Sequence, residues 1–141
     1  MFLKVGGPAP KQAQRLYLLE ITLPSGFVVC KIGKASGGSS VTRMMQIVES
    51  IYNKFRRTPM VYIKRDREVP EDLVFKYEAE LHRFFKDYRY ETNHKWSGFT
   101  EAFCIPLDDA VMAYEAVIEG NVPEHTYELP EPPIESDELP F

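Results

Sequence analysis

Two short runs rich in β-branched and aromatic residues, residues 15–22 (RLYLLEIT) and 27–33 (FVVCKIG), are separated only by Leu23, Pro24, Ser25 and Gly26. Strand-forming stretches joined by so short a link containing Pro and Gly can pair only by folding back, which predicts an antiparallel hairpin. Every later element has to pack on that hairpin. After Gly37, Gly38, Ser39 and Ser40, with a serine as N-cap, the apolar residues Met44, Ile47, Val48, Ile51 and Phe55 recur at helical spacing. They predict a helix over 41–55.

Residues 60–64 (MVYIK) predict a third strand, and Pro70, followed by Glu71 and Asp72, suits the first turn of a second helix reaching to about Lys86. Residues 87–98 read as a polar and aromatic loop and 99–106 as a short extended segment. Residues 107–119 read as a third helix, ended by Gly120. The order predicts a small α+β domain: a three-stranded antiparallel sheet flanked by helices. A flexible leader over 1–13 precedes the domain at 14–120. Residues 121–141 hold five prolines and six acids, too little apolar surface to offset chain entropy, and read as a disordered acidic tail.

The net charge of −4 conceals an asymmetry: residues 1–95 carry +7 and residues 96–141 carry −11, with all 17 Lys and Arg in the first part. A basic front half suits a phosphate-bearing partner, although a solvated surface looks the same in composition. No apolar run approaches the ~18 residues of a membrane span, and the leader lacks the apolar stretch of a secretory signal. Cys30 and Cys104 have no zinc-site spacing. They fall in predicted strands and read as buried thiols of a reducing cytoplasm, the host's if the chain is phage-encoded.

Tyr17 in the first strand and Lys31 in the second can share one face of the hairpin. Gly33 directly after would let the backbone turn or a phosphate approach closely. Arg43, one turn into the first helix, is placed to grip a phosphate. Singly, each has an ordinary reading: a half-buried strand tyrosine, a solvated lysine, a surface ion pair. On the second helix Leu73, Val74, Tyr77, Leu81, Phe84, Phe85 and Tyr88 share a face, with Glu78 at one border, Glu80 at the other and His82 one turn beyond Glu78. A carboxylate at the edge of a core stripe needs a cation or a metal ion beside it.

In order along the chain, Tyr17, Lys31-Ile32-Gly33-Lys34, Arg43, Glu78-Ala79-Glu80-Leu81-His82, Arg89 and Glu101-Ala102-Phe103 resemble the GIY-YIG nuclease superfamily, in the variant branch of phages and mobile elements whose second signature reads KIG. The resemblance covers about residues 14–106. It departs from the signature where Leu16-Tyr17-Leu18 replaces GIY, where Lys31 replaces the YIG tyrosine, and where Ala102 stands between the glutamate and phenylalanine of the last motif. The resemblance implies a metal-dependent endonuclease acting on nucleic acid, DNA by expectation. Glu78 would hold one Mg²⁺ or Mn²⁺, Tyr17 would act as general base assisted by Lys31, and Arg43 would stabilise phosphate charge with help from Lys34. His82 would orient the glutamate or donate to the leaving group, and Glu101 would support the site by hydrogen bonding rather than ligate. Lys34, Arg43, Lys54, Arg56, Arg57 and Arg89 are the candidate nucleic-acid contacts.

The tip Asp137-Glu138-Leu139-Pro140-Phe141 resembles the acidic C-terminal tip of bacterial single-stranded-DNA-binding proteins. It implies docking onto host proteins that read such tips; the alternative is a solubilising appendage. A different class of function stays open: a non-catalytic nucleic-acid or host-repair-protein binding factor on the same fold. A mimic of DNA by acidic charge conflicts with the +7 front half. Convergence of Tyr17, Lys31, Arg43 and Glu78 around one open cleft is the feature that separates enzyme from binder.

Overall fold

The computed structural model describes residues 14–121 and 123. The leader and all but the first part of the acidic stretch, including the tip Asp137, Glu138, Leu139, Pro140 and Phe141, lie outside the described residues. The elements are β1 (Gln14–Thr22), β2 (Val28–Ser36), α1 (Val41–Phe55), β3 (Met60–Val69), α2 (Glu71–Phe84), β4 (Ala102–Phe103) and α3 (Leu107–Ile118). The strands form one antiparallel sheet in the order β3-β1-β2-β4. The two-residue β4, from the segment expected to be extended, adds a fourth strand to the three read from the sequence. Among the described residues no helix is long and apolar enough to cross a membrane.

The near-continuous apolar run of β1 follows from its central place with both faces covered. Leu16 and Leu18 point into a cluster with Cys30, Ile32, Val74, Leu81, Phe85, Tyr114 and Val117, and so receive α2 and α3. Tyr17, Leu19 and Ile21 point the other way, into a cluster with Val29, Ile47, Ile51, Phe55, Tyr90 and Trp96, and so receive α1 and the loop after α2. The hairpin closes at Gly26, whose φ of 91° needs a glycine and whose amide donates to the Leu23 carbonyl at 2.8 Å.

Several boundaries depart from the sequence pattern. β3 continues to Val69, five residues past its apolar part. It is an edge strand whose polar side chains find partners on neighbouring elements: Arg65 and Arg67 with Glu115 at 2.7 and 2.9 Å, and Asp66 with Arg15 at 2.7 Å. Pro70 stands one place earlier than expected, as the N-cap residue of α2. α2 stops at Phe84 and a single 3-10 turn, Lys86–Tyr88, follows. Cys104 falls just past β4 and is half-buried, whereas Cys30 is buried in β2; burial first, then the Glu20 charge, pushes the Cys30 thiol up to about 12.

Ser40 precedes α1 but does not cap it with its side chain. Both its amide and its hydroxyl donate to Asp66 of β3, each at 2.9 Å. Asp66 thereby ties the start of α1 to the sheet. Burial works against its charge, but the hydrogen bonds from Arg15 and Ser40 prevail and hold the carboxyl below its ordinary range. A depressed folded-state value contributes stability above the unfolded pKa, and that stability is lost as pH falls through the folded one. Asp66→Ala should therefore cost about 2 kcal/mol near neutral pH, and the gap to the parent should close as denaturant melts are taken to acid pH. A pH-independent gap would contradict this assignment.

Candidate active site and metal centre

The register places Leu19 opposite Lys31 and Tyr17 opposite Gly33, so the Tyr17, Lys31 and Gly33 positions share the α1-facing side of the sheet. The Lys31 Nζ lies 5.2 Å from the centroid of the Tyr17 ring. Gly33 is what makes this possible. A Cβ there would collide with the Tyr17 hydroxyl, lie 2.6 Å from its Cζ and 3.0 Å from Lys31 Nζ. Its φ is not positive, so no left-handed turn requires the glycine; side-chain space does.

Arg43 joins this group from the first turns of α1. Its Nη1 donates to Gln46 Oε1 at 3.3 Å and to Ser97 Oγ at 3.2 Å. Ser97 is itself fixed to α1, its amide donating to Ser50 Oγ at 2.7 Å. Gly98 next to it has φ 89°, and a Cβ there would lie 2.5 Å from Lys31 Cε and 3.1 Å from Arg43 Nη2. Residues 96–98 thus lie directly over the two cations. Tyr17 and Lys31 are 1% and 0% exposed, so the expected open cleft is, at this end, a closed one.

α2 packs on the opposite face of the sheet, yet Glu78 and His82 reach the same group around the edge of β2. That edge is open because β4 pairs only with Cys30 and Lys31. Beyond that pairing the Ile32 carbonyl accepts from His82 Nε2 at 2.8 Å, which puts the ring proton on Nε2 and leaves the Nδ1 lone pair free in the neutral imidazole. Glu101, in the 3-10 turn before β4, closes the circle. Its Oε1 accepts from Lys31 Nζ at 2.9 Å, so it does support the site by hydrogen bonding. Glu78, His82 and Glu101 could each offer one ligand atom, and these atoms lie within 4.8 Å of one another.

Glu78 is buried, its Oε1 is 3.8 Å from Lys34 Nζ, and its Oε2 has no hydrogen-bond partner among the described residues. Two carboxylates and an imidazole grouped this closely, with one carboxylate oxygen lacking a hydrogen-bond partner, fit a hard divalent cation such as Mg²⁺ or Mn²⁺. Burial, and then the negative charge of Glu101, raise the Glu78 pKa against the pull of Lys34, His82 and Lys31. Burial also disfavours the Glu101 charge, but the Lys31 ammonium outweighs it and holds that carboxyl low.

Of the remaining basic candidates, Lys34 lies at the Glu78 end with its side chain 34% exposed. Arg89 is exposed on the outer side of β4, bridged to Phe103. Lys54, Arg56 and Arg57 are exposed but do not join the cluster. Lys54 is eleven residues along α1 from Arg43, about 16 Å at 1.5 Å per residue. Sequence reasoning missed the covering residues Ser97 and Gly98; the Ser-Gly pair in the loop was their one available signal.

A raised folded-state pKa means that ionised Glu78 costs stability once pH rises through that value. Glu78→Gln should therefore raise the melting temperature of the metal-free protein near pH 7, with the gain shrinking as pH falls and the parent carboxyl protonates. Calorimetry showing the variant less stable at pH 7 would contradict the strained carboxylate.

A family model described as the T5orf172 domain matches residues 14–118, from the first residue of β1 to the last of α3. No curated protein and no solved structure matches the chain.

Proposed function

The chain belongs to the T5orf172 domain family, a phage-associated domain related to GIY-YIG-type nuclease-like folds, and from that premise we propose that it is a metal-dependent endonuclease hydrolysing phosphodiester bonds in DNA. The observation that carries this reading is the meeting of Tyr17, Lys31 and Arg43 with the Glu78, His82 and Glu101 group at one sheet edge. Phosphodiester hydrolysis needs a base for water, charge neutralisation at phosphorus and a hard Lewis acid. This edge offers a residue for each.

Glu78 would hold Mg²⁺ or Mn²⁺, with His82 and Glu101 completing the protein share of the ligands. When bound, such an ion supplies Lewis-acid polarisation of the phosphate oxygens. Tyr17 is the candidate base for the attacking water, and the Lys31 ammonium, 5.2 Å from the centroid of its ring, would position that water. Arg43 neutralises charge on the phosphate, and Lys34 extends the positive surface outward past Glu78. Ser97 and Gly98 must move for substrate to reach Tyr17, while Trp96 stays seated in the core cluster. Ser97 is held by hydrogen bonds with Arg43 and Ser50, and the Gly98 carbonyl accepts from the Glu101 amide; a phosphate that recruits Arg43 would break one of these.

Glu78→Gln should abolish Mg²⁺-dependent cleavage while leaving DNA affinity within about 3-fold. Arg43→Ala should lower the cleavage rate about 100-fold, as removal of a transition-state donor does, and weaken binding. Parent binding should fall steeply with added salt as counterions are released. Gel cleavage and fluorescence anisotropy across plasmid, single-stranded and branched DNA measure these quantities. A Glu78→Gln protein that cuts as well as the parent, or an affinity flat in salt, would contradict the reading.

A further inference from the structure

Phe75 is the most exposed large apolar side chain among the described residues, at 63%. A lone exposed apolar residue is ordinary; its surroundings are not. On α2 it precedes Glu78 by three residues and His82 by seven, so the three share one stripe of the helix. The Lys34 ammonium, from β2, lies 4.9 Å from the centroid of the Phe75 ring and 3.8 Å from Glu78 Oε1. The site therefore runs along a line: buried Tyr17 and Lys31, then Glu101 with His82 and Glu78, then Lys34, then an aromatic ring open to solvent.

We infer that Phe75 is a stacking platform for an unpaired base of the nucleotide flanking the scissile phosphate, with Lys34 holding the phosphate between them. The inference rests on the nuclease reading and adds the class of substrate. A ring beside a cation matches the two halves of a nucleotide, a flat base and an anionic phosphate, and stacking on an aromatic side chain accepts any base. Phe75 and Glu78 are about one helical turn apart, close to 5–6 Å between Cβ atoms, about the distance from a base to a neighbouring phosphate. Inside a duplex both faces of each base are taken up by its neighbours, so only a base already unstacked, in a single strand or at a branch, presents a face to Phe75 without the unstacking cost. The substrate is thus DNA with an unpaired nucleotide beside the cut.

The test uses the full chain carrying Glu78→Gln to prevent cleavage, with three probes: a single-stranded oligothymidylate, a flapped duplex and a blunt duplex of equal length. Adding Phe75→Ala should weaken binding to the first two by ten-fold or more and leave the blunt duplex unchanged. Phe75→Trp should keep the affinity, and its fluorescence should be quenched by the oligothymidylate, with Trp96 buried and contributing a constant background. Because the ring is exposed, circular dichroism should be unaltered in both variants. Equal weakening for all three probes, or none for any, overturns the inference while the nuclease reading stands. If the protein binds none of the probes, the nuclease reading itself falls, and the inference with it.

Discussion

The ion pair between Lys31 and Glu101 is the contact on which the site is built. A lysine with no exposure to water is strongly unfavourable unless its charge is met, and Glu101 meets it, accepting one of its three donors at 2.9 Å. For Glu101 to stand there, β4 has to pair with β2 at Cys30 and Lys31, which brings the loop after α2 back across the sheet. For the amine to lie flat along Tyr17, residue 33 has to lack a Cβ. Burial first, and then the same carboxylate charge, raise the Glu78 pKa. One pair of charges sets the path of a loop, the identity of a glycine and the proton affinity of the proposed metal ligand.

The short pairing of β4 has a second consequence. By ending after two residues it leaves the edge of β2 open from Ile32 onward, and α2 presents Glu78 and His82 there. An open strand edge is ordinarily an aggregation hazard; here His82 satisfies the Ile32 carbonyl and Lys34 puts a charge beside it. The proposed site thus straddles the sheet, with Tyr17, Lys31 and Arg43 on the α1 face, Glu78, His82 and Lys34 on the α2 face, and Glu101 bonded to Lys31 at the edge. The unsatisfied Glu78 oxygen is a stability cost located where a metal ion would relieve it.

The hairpin and α1 were legible in the sequence because apolar periodicity and a short turn decide them locally. The second half of β3 was not, because its residues are polar and are held by partners about fifty positions away: Arg15 for Asp66, and Glu115 for Arg65 and Arg67. The set Tyr17, Lys31, Arg43 and Glu78 was legible as an ordered pattern, and the register brings Tyr17 and Lys31 together as the hairpin required. Their burial was not legible, since it depends on residues 96–98 folding over them from a loop with no periodicity. Gly33 was noticed, but not the main demand on it: only the register shows the tyrosine hydroxyl in the space its Cβ would fill. The basic residues near the end of α1 were grouped with the site by charge alone, and helix geometry separates them from it.

The central claim is that Glu78, His82 and Glu101 form one cation site at the edge of β2. Titration of Mn²⁺ into the full chain, followed by the electron paramagnetic resonance signal of the free ion, tests it most directly. The account predicts one ion taken up per chain, uptake lost in Glu78→Gln and weakened ten-fold or more in His82→Ala, and competition by Mg²⁺. Absence of uptake, or uptake unaffected by Glu78→Gln, would contradict it.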